Sequence, residues 1–568
     1  MRLSTVSGRR KMKCHFVSIL SSIFFLPIVA CAQWEGTQIL QGRRVYTQAD
    51  TILGSLNPYR SCYDVVHYQL ELTLRPSSKT LQGEVTCRFL WKGGADKIQI
   101  DLDEGLSVRR IEIDGQAAFF QRIKGTRAIW VTLPAEATSW KEGTLHSWKV
   151  KYKGKPQIAP RPPWDGGLIW TKTPMGTPWI GVACQGKGAS IWWPLKDHLS
   201  DEPDSATLTF CVPAPLHVIA NGEYSGWKAV NNGTCFTYRV TYPINTYNIT
   251  FYAAPGYITV TDTFHSSSGK AIPMRFSLLA MHSEKASYMA EHSRKVLRAY
   301  EHYFGPFPPQ RDGFGLVESP YYGMEHQSAI AYGNQFKTDE KWGFDYIILH
   351  ETGHEWWGNH VTARDNGDLW IQEGFCTYAE ALYIEYYYGY KAAIEYLLNQ
   401  REYIQNRLTI QAPYGVNADQ AYNTDIYYKM AWVLHTLRSR VNNDSLWFAC
   451  LRAIQDSFSF RTISRAELVA FMSRRLGEDL TPFFKAYLDH LRPPVLSYKV
   501  IQEEGKPILM AKWISAEKDF KGPVEFISGE KKLRLNLSQE VQRFTLPPDM
   551  PNPIPNRNRF LMLITEQI

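Results

Sequence analysis

The stretch that most constrains this chain is "IILHETGHEWWGNHV", residues 347–361, which reads as a buried helix carrying two histidines and a glutamate. Imidazoles and carboxylates are costly to bury without partners. His350 and His354 lie four positions apart, so on a helix they share one face and can bind a single metal ion. Glu351, one position round the helix, can reach a water molecule held on that ion and act as its general base. The stretch therefore predicts a buried metal site.

A third ligand is predicted in "NGDLWIQEGFCTYAEALY", where Glu373 follows His354 after eighteen intervening residues. Asp368 as N-cap and Gly389 as terminator predict a second helix there, and an antiparallel return would bring Glu373 beside His354. Two imidazole nitrogens and one carboxylate leave one coordination position open for water, which is typical of catalytic rather than structural zinc. We therefore expect one Zn²⁺ per chain, bound by His350, His354 and Glu373.

The same helix carries two further residues with predicted roles. Glu380 lies seven positions beyond Glu373 on the same face and is predicted to orient a ligand histidine, with an exposed helix acid as the alternative. Gly374 costs about 1 kcal/mol relative to alanine inside a helix, and this cost predicts close backbone packing beside the metal.

The periodicity of apolar residues divides the rest of the chain. From Tyr63 to Pro255 apolar and polar residues alternate as in strands, for example at Val66, Tyr68, Leu70, Leu72 and Leu74. After about residue 270 the spacing predicts helices over 283–304, 342–358, 368–388, 390–407 and 428–441. Beyond Pro493-Pro494 strand-like runs return. The expected fold class is α+β multidomain, with an N-terminal β domain at 55–255, a mainly helical domain at 256–492 and a small C-terminal β domain at 493–568.

The first 31 residues read as a signal peptide. Five cations precede an apolar run from Phe16 to Ala30 that ends in small residues. The sequence Ile28-Val29-Ala30-Cys31 resembles a bacterial lipobox, in which Cys31 becomes the lipidated first residue. Ala30-Cys31-Ala32 fits ordinary signal peptidase equally well. Both alternatives predict an exported bacterial protein that is periplasmic, extracellular or an outer-membrane lipoprotein.

Net charge argues against a nucleic-acid partner. The formal charge is +8, but five of those charges lie in the leader, which leaves about +3 for the remainder. No later segment has the ~20 apolar residues of a membrane span, so we expect membrane association only through a lipid anchor. Seven cysteines follow the leader without C-x-x-C spacing, and one or two disulfides remain open in an oxidising compartment.

The combined motif "HETGHEWWGNHV…DLWIQEGFCTYAE" resembles the zinc signature of the M1 aminopeptidases, the gluzincins related to aminopeptidase N and the leukotriene epoxide hydrolase. "YYGMEHQSAIAYG" resembles their exopeptidase motif G-x-M-E-N, and "YDVVHYQLELTL" resembles their opening strands. The resemblance extends from residue 60 to about 490. It implies a saddle-like N-terminal β domain and a thermolysin-like catalytic domain. The short final domain departs from the large helical C-terminal domain of many relatives.

The resemblance also implies how a peptide is held. Glu325 matches the acid that binds the free α-ammonium of the substrate, with Gly323 and Met324 beside it in the substrate-binding segment. Gln185 in "GVACQGKGAS" resembles the N-terminal-domain residue that shares this task.

The chain departs from the G-x-M-E-N pattern at two positions. Tyr322 replaces the motif's first glycine, and it is expected to narrow the first subsite. His326 replaces the asparagine, and it is expected to add pH dependence.

A tyrosine that stabilises the charged carbonyl oxygen is implied as well. In "TDIYYKMAWVL" Tyr427 matches that family tyrosine, with Tyr422 and Tyr428 as competitors.

The expected function is hydrolysis of the N-terminal peptide bond of peptides by an exported zinc aminopeptidase, with Glu351 as general base. One alternative is a zinc hydrolase acting on an epoxide or another small electrophile, and aminoacyl-p-nitroanilides discriminate between the two. The other is a non-catalytic binding protein on a peptidase fold, which the complete set of ligands and base disfavours.

Overall fold

A computed structural model describes residues 46–184, 186–417 and 422–567 of the chain. The predicted signal peptide, Cys31 and Gln185 lie outside the described residues. Within these ranges no helix is long and apolar enough to cross a membrane. The described chain forms an N-terminal β region, a mixed region whose helices carry the metal motif, and a C-terminal β region. The predicted α+β multidomain class is confirmed.

The N-terminal region is built on three sheets. The eight strands of the largest follow the order Glu223–Val230, Gly233–Val240, Ser205–Pro213, Tyr63–Arg75, Thr80–Trp91, Leu145–Gly154, Leu106–Ile113 and Gln116–Ala117. A second sheet contains Leu216–Ala220, Phe251–Pro255, Pro178–Ala183 and Gly167–Lys172. The third contains Lys97–Asp101, Ala128–Thr132 and Phe120–Arg122.

The alternation predicted for the first strand breaks at its start. The register against Thr80–Trp91 shifts between Val65 and His67, which marks a β-bulge. A bulge moves the following side chains to the opposite face of the strand. Val65 is therefore buried and Val66 is only half-buried, whereas Tyr68 and the later apolar residues are buried as predicted.

One disulfide joins two paired strands of the large sheet. Cys211 and Cys235 are direct partners in the antiparallel register of Ser205–Pro213 and Gly233–Val240, and their sulfurs are bonded. The other five described cysteines are free and buried, where each packs as a small apolar side chain.

The middle region begins with a five-stranded sheet. This sheet was not predicted from the sequence, because the spacing after about residue 270 indicated only helices. Its strands follow the order Tyr257–His265, Ala271–Leu279, Phe314–Glu318, Ile330–Tyr332 and Gly323–Met324. Phe314–Glu318 is buried at every position, and such strands show no alternation for a sequence pattern to detect. Gly323–Met324 forms one edge of this sheet.

The helices of the middle region pack around this sheet and around each other. They are Ala286–Phe304, Tyr346–Gly353, Trp370–Tyr388, Tyr390–Arg401, Tyr428–Val441, Asp444–Ser457, Arg465–Leu476 and Thr481–Leu488. We call Tyr346–Gly353 the histidine helix, Trp370–Tyr388 the carboxylate helix and Tyr428–Val441 the tyrosine helix. The tyrosine helix has the predicted bounds, and Gly389 ends the carboxylate helix at φ 84° as predicted.

Two of the predicted helices are too long. The histidine helix begins at Tyr346 and ends at Gly353, because the chain turns at Trp356 and Trp357 into the short strand Val361–Ala363. The helix predicted over 390–407 ends at Arg401.

The C-terminal region consists of two small sheets. One contains Gln542–Thr545, Lys506–Ile514, Val495–Glu503 and Leu563–Thr565. The other contains Lys531–Leu537, Gly522–Ser528 and Ile554–Pro555.

Two short helices, Gln48–Gly54 and Pro58–Ser61, precede the first strand. The first helix packs against the middle region: Asn417 Nδ2 donates to Asp50 Oδ1 at 2.7 Å. A Cβ added to Gly54 would lie 1.9 Å from the carbonyl carbon of Val416, so glycine permits this close approach. Leu53 of this first helix thereby helps to line the cleft described below.

Candidate metal centre and active site

The histidine helix is positioned by a buried N-cap that sequence reasoning missed. Asp345 Oδ1 accepts hydrogen bonds from the backbone N–H groups of Ile347 and Ile348 at 3.1 and 3.3 Å. Its other oxygen accepts from the hydroxyls of Tyr332 and Tyr288 at 2.6 and 3.0 Å. Capping and the two hydroxyls fix where the helix begins, and hence where its histidines face.

The three predicted ligands converge. The Nε2 atoms of His350 and His354 lie 3.7 and 3.4 Å from Glu373 Oε2. One donor atom from each residue lies within 4.8 Å of the other two, and all three side chains are buried. His354 stands one residue past the helix end, but its φ and ψ remain helical (−66° and −19°), so the shared face is kept.

Hydrogen bonds at Nδ1 fix the orientation of both imidazoles. His350 Nδ1 donates to Glu380 Oε1 at 2.6 Å, and His354 Nδ1 donates to the carbonyl of Trp357 at 2.9 Å. A proton held at Nδ1 leaves the Nε2 lone pair for a metal. Each histidine thus presents Nε2 toward Glu373, where the neutral imidazole can bind a metal.

Glu380 is part of this arrangement and is buried, so the alternative of an exposed helix acid is wrong. While Oε1 holds His350, Oε2 accepts hydrogen bonds from Tyr396 Oη at 2.6 Å and Gln400 Nε2 at 2.7 Å. Both donors lie on the helix Tyr390–Arg401, which turns back from Gly389. The spacing between Glu373 and Glu380 predicted that Glu380 lies near the ligands. Nothing in the sequence indicated that Tyr396 and Gln400 donate hydrogen bonds to it.

The three donor groups are of the types that zinc prefers as ligands. Two neutral imidazole nitrogens and one carboxylate are zinc's usual protein ligands in catalytic sites. Glu325 and Glu351 place two more buried carboxylates next to His354, and a cation bound there would stabilise their ionised forms. The residues present therefore match the predicted ion in ligand type and charge.

Glu351 follows His350 on the histidine helix and lies beside the edge strand Gly323–Met324. Burial raises the pKa of its carboxyl to about 7. A Cβ added to Gly323 would come within 2.7 Å of both Glu351 Oε1 and Ile347 Cδ1. Gly323 therefore allows the edge strand to approach the carboxylate directly.

Glu325 follows the edge strand and is buried near the ligands. Its backbone carbonyl accepts a hydrogen bond from Asn359 Nδ2 at 3.1 Å, and burial raises the pKa of its carboxyl. Tyr247 of the N-terminal region stands beside this carboxylate, and Gln372 Nε2 donates to the Tyr247 hydroxyl at 2.8 Å. Sequence reasoning missed Tyr247, because nothing in "PINTYNI" indicates contact with a site eighty residues away.

The candidate oxyanion tyrosines are brought together on one side of the metal site. The Tyr427 ring centroid lies 6.1 Å from that of His350, and the hydroxyls of Tyr427 and Tyr422 are in hydrogen-bond contact. Tyr422 also lies near the carboxylates of the site, and burial raises the pKa of its hydroxyl. Tyr428 instead packs against Tyr403, with ring centroids 5.3 Å apart. The structure therefore leaves Tyr427 and Tyr422 as candidates.

Close packing at Gly374 links the ligand Glu373 to the tyrosine helix. A Cβ added there would lie 2.2 Å from Met430 Cγ and 3.1 Å from the carbonyl oxygen of Ile426. The predicted close packing of the backbone at Gly374 is present. The segment that packs there is the start of the tyrosine helix, which does not supply a metal ligand. The carboxylate helix and the tyrosine helix are consequently held in fixed register.

Other residues of the exopeptidase motif have roles in packing. Met324 is buried in the apolar core shared with the N-terminal region, and Tyr322 packs against the core of the middle region. His326 is fully buried, and its Nδ1 pairs with Tyr252 Oη at 2.8 Å. Burial lowers the pKa of His326 to about 3, so the expected pH dependence from this residue is wrong. Neither Tyr322 nor Met324 lines the cleft formed by the described residues.

Asp368 does not cap the carboxylate helix. The helix begins at Trp370 after a short 3₁₀ turn, and Leu369 occupies the N-cap position. The Asp368 carboxylate is buried and accepts hydrogen bonds from the Arg465 backbone and the Tyr414 hydroxyl. Its role is to join the carboxylate helix to distant segments of the middle region.

A cleft of about 730 Å³ leads away from the metal site. Glu325, Glu373 and Tyr422 line it, together with Arg127 and Lys187 of the N-terminal region. The Gln185 predicted for substrate binding belongs to the same loop as Lys187, but it lies outside the described residues.

Comparison with known proteins identifies the region that carries the site. Residues 288–487 match the family model of the peptidase family M1 domain. Mouse aminopeptidase B is 26% identical over 295 residues, which cover 45% of this chain and 43% of that protein. The chain thus spans less than half the length of this curated relative.

Solved structures share the architecture. The M1 zinc metallopeptidase of Deinococcus radiodurans superposes with a TM-score of 0.64 at 22% identity, covering 77% of this chain and 95% of that one. Aminopeptidase A of Legionella pneumophila superposes with a TM-score of 0.72 at 14% identity, covering 89% of this chain and 60% of that one. At such identities these structures establish the fold.

Proposed function

Because the chain belongs to peptidase family M1, we propose that it is a zinc aminopeptidase that removes N-terminal residues from peptides. The observation that carries this proposal is the convergence of His350, His354 and Glu373 in one buried cluster. Glu351 and Glu325 supply a base and an ammonium site beside His354. A non-catalytic binding protein has no need of this complete set.

His350, His354 and Glu373 would hold the zinc ion. When bound, zinc supplies a Lewis acid that polarises the peptide carbonyl and acidifies water. Glu351 then accepts the proton of the attacking water and returns it to the leaving amine. Its buried position suits this exchange, since a carboxyl with a raised pKa can both take and release a proton near neutral pH.

Glu325 restricts the reaction to the first peptide bond. The carboxylate is buried, so it can form a charge-assisted hydrogen bond with the ammonium of a substrate. The edge strand Gly323–Met324 can pair with the substrate backbone and align it along the site. With the ammonium held at Glu325, the first carbonyl is the one that meets the metal site.

Hydrolysis of aminoacyl-p-nitroanilides is the direct test of this activity. We expect turnover that a strong chelator removes and that added zinc restores. Absence of turnover in a zinc-loaded preparation would overturn the proposed activity. Cleavage of an epoxide substrate without aminoacyl hydrolysis would favour the alternative enzyme.

Tyr427→Phe is expected to lower kcat by about 10²–10³ with zinc retained, which is the usual effect of losing one oxyanion donor. Tyr428→Phe is the matched control, because it removes the hydroxyl of the neighbouring tyrosine, whose ring packs against Tyr403. Steady-state kinetics and metal content should be measured for both variants. If Tyr422→Phe gives the large loss while Tyr427→Phe does not, the oxyanion role belongs to Tyr422.

Glu380→Gln is expected to weaken zinc affinity by about 10–100-fold, the usual cost of removing a carboxylate that orients a ligand histidine. The amide cannot reproduce the charge-assisted bond to His350 Nδ1. Competition for zinc with a fluorescent chelator measures this change. Glu395→Gln, an exposed acid on the next helix, is the matched control, and equal affinities in the two variants would contradict the role.

We also propose that the protein is exported. The Cys211–Cys235 disulfide supports this, because such bonds persist in oxidising compartments. A lipid on Cys31 would make it an outer-membrane lipoprotein, and processing at Ala32 would release it. Mass spectrometry of the mature N-terminus from the bacterial source distinguishes these two outcomes from retention of the leader.

A further inference from the structure

Three buried asparagines connect the N-terminal region to the segment that carries Glu325. Asn221 follows the strand Leu216–Ala220, Asn248 ends a 3₁₀ turn of the same region, and Asn359 follows the histidine helix. We call Asn221, Asn248 and Asn359 the asparagine relay. All three are buried. Because an amide is costly to bury without partners, the hydrogen bonds that each one makes indicate its role.

Asn359 connects a metal ligand to Glu325. Its backbone N–H donates to the carbonyl of His354 at 2.9 Å. Its side-chain Nδ2 donates to the carbonyl of Glu325 at 3.1 Å. One residue is thus bonded both to a predicted metal ligand and to the residue that we propose binds the ammonium. These two bonds help to set the spacing between the metal ligands and the Glu325 backbone.

Asn248 determines which way the Asn359 amide faces. An asparagine amide carries a donor nitrogen and an acceptor oxygen, and a half-turn of the amide exchanges their positions. Asn248 Nδ2 donates to Asn359 Oδ1 at 2.5 Å, so the Asn359 nitrogen is directed to the Glu325 carbonyl. Without this donor the amide can turn and present its oxygen to that carbonyl, where two acceptors repel each other.

Asn221 closes the relay. Its Nδ2 donates to the carbonyl of Asn248 at 2.9 Å and to the carbonyl of Gln327 at 2.7 Å. The segment 325–327 is therefore held at two backbone carbonyls, one by Asn359 and the other by Asn221. The same segment would have no such support from the middle region alone, because Asn221 and Asn248 both belong to the N-terminal region.

The turn that follows this segment also depends on both regions. Ser328 has a φ of 58°, in the left-handed region that non-glycine residues rarely adopt. Its hydroxyl accepts a hydrogen bond from the backbone N–H of Gly222 at 2.8 Å, and its own N–H donates to Glu355 Oε1 at 3.1 Å. A conformation of this kind persists where the surrounding contacts hold it in place.

Building on the proposed aminopeptidase activity, we propose that the asparagine relay positions Glu325 relative to the metal ligands and so selects which peptide bond is cleaved. The three asparagines are positioning residues that act through Glu325. With the relay intact, a substrate ammonium bound at Glu325 brings the first carbonyl to the metal site. Loss of the relay leaves the metal ligands in place but weakens recognition of the ammonium.

A pair of reporters that differ only in the α-amino group tests this role. Alanyl p-nitroanilide carries the ammonium and propionyl p-nitroanilide lacks it. We expect Asn248→Ala and Asn359→Ala each to lower the ratio of their kcat/KM values by about tenfold, since each variant loses a hydrogen bond that positions Glu325. Partial unfolding lowers both rates equally and leaves the ratio unchanged. Unchanged ratios in both variants would overturn the proposal and leave the aminopeptidase activity standing.

A double variant tests whether the asparagines act in series. Asn248→Ala combined with Asn359→Ala should lower the ratio no further than Asn359→Ala alone, because Asn248 acts through Asn359. Multiplying effects would contradict the relay. Asn556→Ala is the matched control: it removes a buried amide of the C-terminal region that donates to Glu525 Oε1 at 2.7 Å, and its ratio should equal that of the wild type. Asn248→Ala keeps the test open if Asn359→Ala does not fold.

A binding measurement separates failure of the relay from failure of the activity. Alanine hydroxamate and propionohydroxamate bind zinc through the same group and differ only in the ammonium. Calorimetry on the zinc-loaded wild type should give a lower Kd for alanine hydroxamate, and Asn248→Ala should reduce this difference by about tenfold. A chain that shows this reduction but hydrolyses no reporter would contradict the aminopeptidase proposal and retain the relay. An unreduced difference in Asn248→Ala would refute the relay.

Discussion

Replacing Glu351 with glutamine is expected to lower kcat by about 10²–10⁴ while zinc remains bound, the usual range for losing a general base. Glutamine preserves the size of the side chain but cannot accept a proton from water. Because Glu351 is one of the acids beside His354 but not one of the three predicted ligands, the metal should stay in place. Steady-state kinetics with metal analysis on the same preparation measures both quantities.

Glu355→Gln is the control for that substitution. Glu355 is also buried and lies four residues further along the chain, where Oε1 accepts a hydrogen bond from the Ser328 backbone at 3.1 Å. An amide oxygen can accept the same bond, so kcat should remain close to that of the wild type. Full turnover in Glu351→Gln would exclude this residue as the base.

Acetylating the N-terminus of a good peptide substrate is expected to lower kcat/KM by at least about 10²-fold. The acetyl group removes the ammonium and leaves the buried Glu325 carboxylate without its countercharge, and breaking a buried ion pair typically costs about 3–5 kcal/mol. Chromatographic analysis of matched free and blocked peptides gives the ratio directly.

Glu325→Gln tests whether the Glu325 carboxylate is responsible for the preference for free over acetylated peptides. The variant should lose activity on free peptides and reduce the difference between free and blocked substrates. Equal cleavage of both peptides by the wild-type protein would mean that Glu325 has no role in selecting the N-terminus. Internal cleavage of blocked peptides would then indicate an endopeptidase.

The sequence was most informative where the chemistry is local. His350, His354 and Glu351 lie within five residues, and helical spacing alone predicts which of them share a face. Glu373 and Glu380 lie on the next helix. A single reversal of chain direction between the two helices was therefore enough to predict that they approach the histidines. The resemblance that these motifs suggested is confirmed over residues 288–487, which match the family model of the peptidase family M1 domain.

Contacts between segments that are distant in the chain could not be predicted from the sequence. Asp345 depends on hydroxyls from Tyr288 and Tyr332, and Tyr247 reaches Glu325 from another region of the fold. A side chain's partner across such separations depends on how whole regions pack, which no local period encodes. Arg127 and Lys187 belong to the same class, because neither carries a motif that indicates a shared cleft.

Element boundaries also depended on tertiary structure. The bulge after Val65 moved one side chain off the predicted face, and the five-stranded sheet was hidden because its central strand is buried on both sides. Asp368 looked like a helix cap by residue type, yet Arg465 and Tyr414 engage its carboxylate instead. In each case tertiary packing, and not the intrinsic structural propensity of the residues, determined the local structure.

Zinc content per chain is the most direct measurement of the central claim. Protein equilibrated with a small excess of zinc and then freed of unbound ion should hold one ion per chain in the wild type and in Glu351→Gln, and Glu373→Ala should lose it. Glu525→Ala, which changes a buried acid of the C-terminal region, should retain the ion. A wild-type protein that holds no zinc, or a Glu373→Ala protein that holds it with unchanged affinity, would contradict the account.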